Sequence, residues 1–271
     1  MLNALNYYRM TIAIDVKTFA TYRTNIFAGL VSALFALGAR YALWWALFSG
    51  SDTNVMNATA TLTETMTYFV VTGVLMMWTT SRFSDRIGGD IQSGGIAQAL
   101  IRPRSYHFQL LSSLHSGAVT GTLTNTLPIL VVAAIFIGIL PPVSVTAFFA
   151  FVLAAVLGGV IYILVDLIIS YTAFWMVDYW YISWYRGALF MLFGGTMLPI
   201  WFYPEWLRTA SSILPFQFSV FVPMEIYLGR LADFQEIVPA LGLQLIWIVV
   251  LFAIERLIWH RAQYKIVVQG G

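Results

Sequence analysis

Six long apolar segments restrict this chain to the folds that a lipid bilayer permits. They lie at about residues 26–48, 61–79, 118–140, 145–169, 184–202 and 237–259. Each has close to the roughly 20 helical residues needed to cross a bilayer core about 30 Å thick. The segments are continuously apolar and lack the alternation of β-barrel strands, so we expect helices. The sequence therefore predicts an all-α integral membrane protein with six transmembrane helices.

The composition argues against soluble classes of protein. Of the 271 residues, 60% are hydrophobic and 10% are charged, whereas a soluble domain carries about 25% charged residues. A soluble enzyme, a nucleic-acid binder and a disordered chain do not fit these values. The chain has no cysteine, which excludes thiolate metal sites and cysteine nucleophiles, and its three histidines are scattered along the sequence. The sequence motifs of intramembrane serine, aspartyl and zinc proteases are also absent.

The distribution of basic residues predicts the orientation. With the N-terminus inside, Arg208 and Arg230 fall outside, Arg40 falls in the first span, and the other eleven of the 14 Lys and Arg residues, Arg186 included, lie on the cytoplasmic side. This asymmetry follows the positive-inside rule. An even number of spans then places both termini in the cytoplasm. We expect one membrane domain over residues 1–271, which begins with an amphipathic helix on the inner surface over residues 1–23. The alternative for these first residues is a frayed tail.

The longest polar segment, residues 81–111, lies on the cytoplasmic side in this topology. It contains the glycine pairs Gly88-Gly89 and Gly94-Gly95. We expect a short helix over residues 96–101, because Pro103 disfavours helix at the residue before it. Such a protruding segment is suited to contact a soluble partner, and the alternative is an ordinary connecting loop.

The external segment at residues 203–236 is too hydrophobic for a free loop and is interrupted by Pro204, Pro215 and Pro223. We expect two short helices, at about residues 204–213 and 221–230. Pro204 suits the first helical turn, and an acidic residue after it is favourable at a helix N-terminus. Backbone at membrane depth must be covered by protein or water. The hairpin is therefore expected to cap a pathway or to pack against a partner subunit.

Charged residues within the spans are the remaining candidates for function, since each is costly in hydrocarbon. Arg40 lies in the outer half of the first span and is expected to be paired or to face a water-filled cavity. Asp166 lies in the fourth span. Glu255 and Arg256, at the inner end of the sixth span, are expected to anchor that helix at the interface.

Two sequence patterns carry a resemblance to a known family. The first is Asp90-x-x-x-Gly94-Gly95-x-x-Gln98-Ala99-Leu100-Ile101-Arg102-Pro103, and the second is Gly194-Gly195-x-x-x-Pro199-x-x-Phe202-x-Pro204-x-x-Leu207. With the order of spans, loop and hairpin, they resemble the permease subunits of type-2 ABC exporters over nearly the whole chain. Arg104 stands where that family usually has a small residue.

The resemblance implies roles for both segments. It implies a coupling segment that docks on a cytoplasmic ABC ATPase dimer and is formed by Asp90, Gly94, Gly95, Leu100, Ile101, Arg102 and Pro103. It implies an external gate formed by Gly195, Pro199, Phe202, Pro204, Pro215 and Pro223. The resemblance further implies that two permeases, either two copies of this chain or this chain with a homologous permease, face each other in the bacterial inner membrane and export a hydrophobic or amphipathic drug, lipid or peptide.

The chain itself lacks the means to bind nucleotide. A P-loop requires Gly-x4-Gly-Lys-Ser/Thr, and the only lysines are Lys17 and Lys265, preceded by Val16 and Tyr264. We therefore expect no enzyme activity and no cofactor here, with ATP and Mg²⁺ bound by the partner ATPase. A secondary transporter or channel that uses Arg40 and Asp166 without ATP is the alternative, and a membrane assembly protein is a third possibility.

Overall fold

A computed structural model describes residues 23–50, 60–79, 83–101, 106–107, 109–111, 127–176 and 180–265. The interfacial helix expected over residues 1–23 falls almost entirely outside these ranges. The regular structure of the described residues is helical. Its α-helices are α1 (Arg23–Ser49), α2 (Leu62–Thr79), α3 (Phe83–Gln92), α4 (Gly95–Ile101), α5 (Leu127–Phe136), α6 (Val145–Ser170), α7 (Ile182–Phe193), α8 (Glu205–Ile213), α9 (Phe221–Tyr227) and α10 (Phe234–Gln263). The chain divides into two compact units, residues 1–80 with 111–140 and residues 81–110 with 141–271.

The first unit contains α1, α2 and α5, which pack against one another. Helix α2 begins with a capping box: the Glu64 carboxylate accepts from Thr61 N at 2.8 Å, and Glu64 N donates to Thr61 Oγ1 at 3.1 Å. These two bonds satisfy backbone donors that have no partner within the helix. The polar start of the second apolar segment is therefore a helix-initiation signal.

Three helical segments are long and apolar enough to cross a membrane. They are Phe27–Ser49, Val145–Phe174 and Phe234–Gln263, and they confirm the helices expected at the first, fourth and sixth apolar segments. The second segment forms the shorter apolar helix Leu62–Met77. Helix α5 covers part of the third segment, while residues 118–126 lie outside the described ranges. The full count of six spans and the placement of the termini stay predictions.

The fifth apolar segment, expected to span residues 184–202, is interrupted near its glycine pair Gly194-Gly195 and Pro199, where a helix can bend. Helix α7 ends at Phe193, and a 3₁₀ turn, Ile200–Phe202, follows after an irregular stretch. Gly195 has a φ of 74°, a left-handed conformation that glycine adopts without steric cost. Pro199 lacks a backbone N–H for helix continuation. These two residues account for the interruption.

The second unit is built around α6 and α10, which pack along each other. Ser144 caps α6, because its Oγ accepts from Ala147 N at 3.0 Å. The buried residues of α10 recur at helical spacing and form one face. They are Ile237, Gln244, Leu251, Glu255, Trp259 and Ala262. Two of the six, Gln244 and Glu255, are polar, and a polar side chain buried between membrane helices needs hydrogen-bond partners.

The short helices expected from glycine and proline positions are confirmed. Helix α4 matches the one expected at residues 96–101. Helices α8 and α9 match the two expected in the external segment, and a 3₁₀ turn, Pro215–Ser219, joins them. Glu205 occupies the first turn of α8 directly after Pro204.

Candidate functional site

Within the second unit, the segment formed by α3 and α4, which is expected on the cytoplasmic side, packs through one face of α3. Phe83, Ser84, Ile87 and Gly88 are buried on this face, which packs against α6 and against the 3₁₀ turn Tyr171–Phe174 that follows it. Gly94 joins α3 to α4 with a φ of 71°, which favours glycine. The segment is thus a folded helical pair held against the membrane helices.

Four of the seven residues assigned to coupling by resemblance have described side-chain positions. Asp90 and Gly94 lie at the end of α3 and in the turn, and Gly95 begins α4. Ile101 ends α4 with 84% of its surface exposed. Leu100 lies in α4, where its side chain is not among those described, and Arg102 and Pro103 lie outside the described residues. The α3–α4 pair therefore buries one face of α3, and Ile101 is the exposed apolar residue at the described end of α4.

Asp90 connects this segment to the inner end of α10. Its Oδ2 accepts a hydrogen bond from the Tyr106 hydroxyl at 2.8 Å. Burial and this bond raise the pKa of Tyr106 above its ordinary value, so the hydroxyl stays protonated and donates. The Tyr106 ring stacks on the Trp259 ring of α10, with centroids 5.6 Å apart and 13° between the planes.

Glu255 lies beside this stack, with 2% of its side chain exposed. Its Oε1 is 2.6 Å from His107 Nε2 and accepts from the Tyr171 hydroxyl at 3.2 Å. The imidazole of His107 also meets the Trp259 ring edge-on at 4.8 Å between centroids. A buried carboxyl is tolerated only when hydrogen-bond partners replace water, and this site provides them. We call this cluster the inner junction: Asp90, Tyr106, His107, Tyr171, Glu255 and Trp259.

The inner junction revises the expected role of Glu255 as an interfacial anchor. Glu255 faces inward because it lies on the same helical face as Leu251 and Trp259. Its partner His107 is 148 residues away in sequence, so no local motif pairs them. The available signal was an ionisable residue one turn from a tryptophan, together with a histidine before the third apolar segment.

Asp166 forms a second buried polar contact, between α6 and α7. Its Oδ1 accepts from Arg186 Nη1 at 2.7 Å and from Ser170 Oγ at 3.2 Å. The sequence analysis placed Arg186 on the cytoplasmic side, where its charge would be solvated. In the structure only 12% of its side chain is exposed, because the carboxylate of Asp166 offsets the cost of burying the guanidinium.

Arg40 lies in the first unit, on α1. Its guanidinium lies 4.8 Å from the centroid of the Phe69 ring, which Trp44 also contacts at 5.6 Å. Cation–π contact stabilises a guanidinium by about 0.5–2 kcal/mol. Within the described part of the chain, no carboxylate forms an ion pair with Arg40.

The external segment is fixed to α6 and α10 at the 3₁₀ turn Pro215–Ser219. Gln244 Nε2 donates to Phe218 O at 2.8 Å and to Ala154 O at 3.0 Å. At Gly158 of α6, a Cβ atom would lie 2.5 Å from Ser219 O, so only glycine admits this approach. The turn exposes carbonyl groups that a regular helix would satisfy, and Gln244 supplies a donor for one of them.

The residues assigned to the external gate lie in the second unit, in two stretches joined by a ring contact. Phe202 and Pro204 flank Tyr203, which packs in a buried cluster with Ile200 and Leu207. Trp201, beside Phe202, contacts Phe221 of α9 at 5.7 Å between centroids. Of the other four gate residues, Gly195 and Pro199 come before Trp201 in the chain, Pro215 begins the 3₁₀ turn between α8 and α9, and Pro223 lies in α9.

The side chain of Arg230 packs on the Trp201 ring of this contact. The Arg230 guanidinium lies 4.0 Å from the centroid of the Trp201 ring. Arg208 Nη2 donates to Trp201 O at 2.8 Å. These contacts tie the stretch before α8 to the end of α9, so the external segment is a packed structure and not a free loop.

Among the described His, Asp and Glu residues, no group of three is arranged to hold a metal ion. In the described residues, the polar contacts between helices include two clusters, the inner junction and the contacts of Gln244 at the turn Pro215–Ser219.

The chain was compared with known protein families, curated proteins and solved structures. The family model described as ABC-2 family transporter protein matches residues 34–270, which is most of the chain. No curated protein and no solved structure matches. The matched region includes the α3–α4 segment, the inner junction and the external segment. The chain belongs to the ABC-2 transporter family and is a helical membrane protein.

Proposed function

We propose that this chain is the transmembrane permease subunit of an ATP-driven exporter, and that a separate ATPase binds its α3–α4 segment. The observation that carries the proposal is the attachment of this segment to the end of α6 through the buried face of α3, and to α10 through the Asp90–Tyr106 hydrogen bond and the Tyr106–Trp259 stack. An ordinary connecting loop has no need of such contacts. Membership of the ABC-2 family and the absence of a P-loop from the sequence support the same reading.

The exposed end of α4 is the proposed docking point for the ATPase. Ile96 is buried against the rest of the segment, whereas Ile101 at the last position of α4 is largely exposed. An apolar side chain that a partner covers adds binding energy through the area removed from water. The ATPase would thus contact α4 while α3 transmits the displacement.

The remaining parts of the function follow the resemblance. Two permeases, identical or homologous, enclose the pathway in the bacterial inner membrane, and the external segment closes it. The packed cap formed by Trp201, Phe221 and Arg230 supports a closing role. The aromatic and apolar character of the chain favours a hydrophobic or amphipathic cargo.

The test is affinity purification of the tagged chain from mildly solubilised native membranes, with mass spectrometry of the proteins retained. We expect a stoichiometric soluble P-loop ATPase with the wild-type chain. Ile101→Glu should reduce the retained ATPase about tenfold, the effect of losing one central interface contact. Gln92→Glu, an exposed position at the end of α3, is the matched control and should retain it.

Failure takes two forms. Docking at α4 would be contradicted if Ile101→Glu and the combined variant Leu100→Asp with Arg102→Glu both retained as much ATPase as the wild-type chain. Substrate transport by vesicles that contain this chain and no ATPase would instead favour the secondary transporter.

A further inference from the structure

Helix α10 uses the same face to contact Tyr106 and His107, which follow the α3–α4 segment, and Phe218 in the external segment. Gln244 and Glu255 are separated by 11 residues, about three helical turns, which places them on one side of the helix about 16 Å apart along its axis. Both are buried, and Trp259 lies one turn beyond Glu255 on the same face.

The stretch of α10 between these two residues is well suited to move as one body. Residues 244–259 contain neither glycine nor proline, the usual causes of helix kinks. Each backbone group within it bonds along the helix, so axial stretching would break several hydrogen bonds. A displacement at Trp259 therefore reaches Gln244.

The contacts at the two ends are polar and buried. At the inner end, Glu255 is held by His107 and by the Tyr171 hydroxyl. At the other end, Gln244 donates to Phe218 O in the external turn. Separating a buried polar pair in an apolar environment leaves both groups unsatisfied, so these contacts are expected to persist while the helices move.

We infer that α10 is a rigid connection between the α3–α4 segment and the external segment, and that Glu255 and Gln244 are the positioning residues at its two ends. The inference rests on the proposed function, because the displacement originates in the ATPase. Motion of α3 passes through Asp90, Tyr106 and Trp259 to α10, and Gln244 passes it to the turn Pro215–Ser219. Helix α6 moves with α10, since Gln244 also donates to Ala154 O.

The experiment reports on the external segment directly. The chain has no cysteine, so Thr209→Cys at an exposed position of α8 provides a single labelling site. The complex with its ATPase is reconstituted in vesicles, and the rate of labelling by a membrane-impermeant maleimide is compared with and without a non-hydrolysable ATP analogue. Substrate transport per ATP hydrolysed is measured in parallel.

With the wild-type α10, the analogue should change the labelling rate. Gln244→Met keeps the length of the side chain and removes both hydrogen bonds; it should abolish that change and lower transport per ATP at least about fivefold, the lower end of typical coupling between sites. Leu245 is the next residue of α10 and is exposed, so Leu245→Met is the matched control and should behave as wild type.

The inner end is tested by two variants. Tyr106→Phe removes only the hydroxyl that bonds Asp90 and should also reduce the response of the label. Glu255→Leu should abolish that response, whereas Glu255→Gln keeps acceptor and donor atoms for His107 and Tyr171 and should restore it. A merely structural role of Glu255 would move the melting temperature and leave transport per ATP unchanged.

Two outcomes would overturn the inference. One is a Gln244→Met complex that keeps the nucleotide-dependent labelling and the wild-type transport per ATP. If Gln244→Met does not assemble, the second such outcome is a Tyr106→Phe complex whose labelling rate responds to the ATP analogue as strongly as that of the wild type. Failure of the proposed function has a different signature, since the wild-type chain would then retain no ATPase and show no nucleotide-dependent labelling at all.

Discussion

Substitution of Gly158 by alanine tests the close approach between α6 and the external turn. A Cβ atom at this position would lie 2.5 Å from Ser219 O and 2.8 Å from Phe218 O. Both neighbours are backbone atoms, and the second is also held by Gln244. No flexible side chain is present at that point to move aside, so either the turn or α6 must shift.

The expected magnitude combines two opposing contributions. Overpacking of a well-packed region costs about 1–3 kcal/mol, whereas alanine is about 1 kcal/mol more favourable than glycine inside a helix. Because two backbone oxygens lie under 3.0 Å from the added Cβ atom, the upper half of the overpacking range applies, and the expected net loss is about 1–2 kcal/mol. For a chain of this size, 1 kcal/mol corresponds to a shift of about 2–4 °C in melting temperature, so Gly158→Ala should melt several degrees below wild type.

The assay is thermal unfolding in lipid nanodiscs, followed by tryptophan fluorescence. Gly242→Ala in α10 and Gly187→Ala in α7 are matched controls, because nothing lies within 4 Å of a Cβ atom at either position. Both controls should melt at or above the wild-type temperature. The reasoning is refuted if Gly158→Ala also melts there, since the turn would then not lie against α6 as described.

Three further predictions concern polar groups of the second unit. Asp166→Asn or Arg186→Gln should each destabilise the chain by about 3–5 kcal/mol, because a buried partner is left unpaired, and the double variant should lose less than the sum of the two in a thermal unfolding cycle. Burial raises the pKa of Glu225 from 4.5 to about 7, although the Arg230 guanidinium lowers it. The folded state then holds the proton more tightly than the unfolded state, so stability should fall as the pH rises from about 4.5 to about 7, and Glu225→Gln should flatten the melting temperature across that window; an unchanged slope would contradict this. Ser144→Ala removes the N-cap of α6 and should cost about 1 kcal/mol in the same unfolding assay, with Ser144→Asp retaining wild-type stability.

The elements predicted best from sequence are those with a local cause. The helices Phe27–Ser49, Val145–Phe174 and Phe234–Gln263 follow from long apolar runs, since burial of apolar side chains in lipid needs no knowledge of the neighbours. The bounds of α4, α8 and α9 follow from glycine and proline, which fix the backbone where they stand. In the fifth segment the glycine pair and Pro199 indicate where a helix can bend, but hydropathy does not record the φ of Gly195, which ends the helix there.

The contacts of the candidate sites had no local cause. Glu255 pairs with His107 across 148 residues, and Arg186 pairs with Asp166 although its position near the interface also suits a solvated residue. A single sequence shows that such groups exist. It does not show which helices become neighbours, and the partner of a buried charge depends on that choice.

Lipid makes this choice hard to read from hydropathy, because an apolar side chain that faces lipid and one that faces protein have the same transfer free energy. The packed face of α10 is nevertheless distinguishable, since Gln244 and Glu255 lie on it with Leu251 and Trp259. A polar side chain at that depth is stable only where protein supplies its hydrogen bonds. Gly158 marks the packed face of α6, because a backbone carbonyl of the external turn occupies the space that a larger side chain would need. In this chain, the few polar and small residues of the spans therefore identify the packed faces, and on α10 that face contacts both Tyr106 and Phe218.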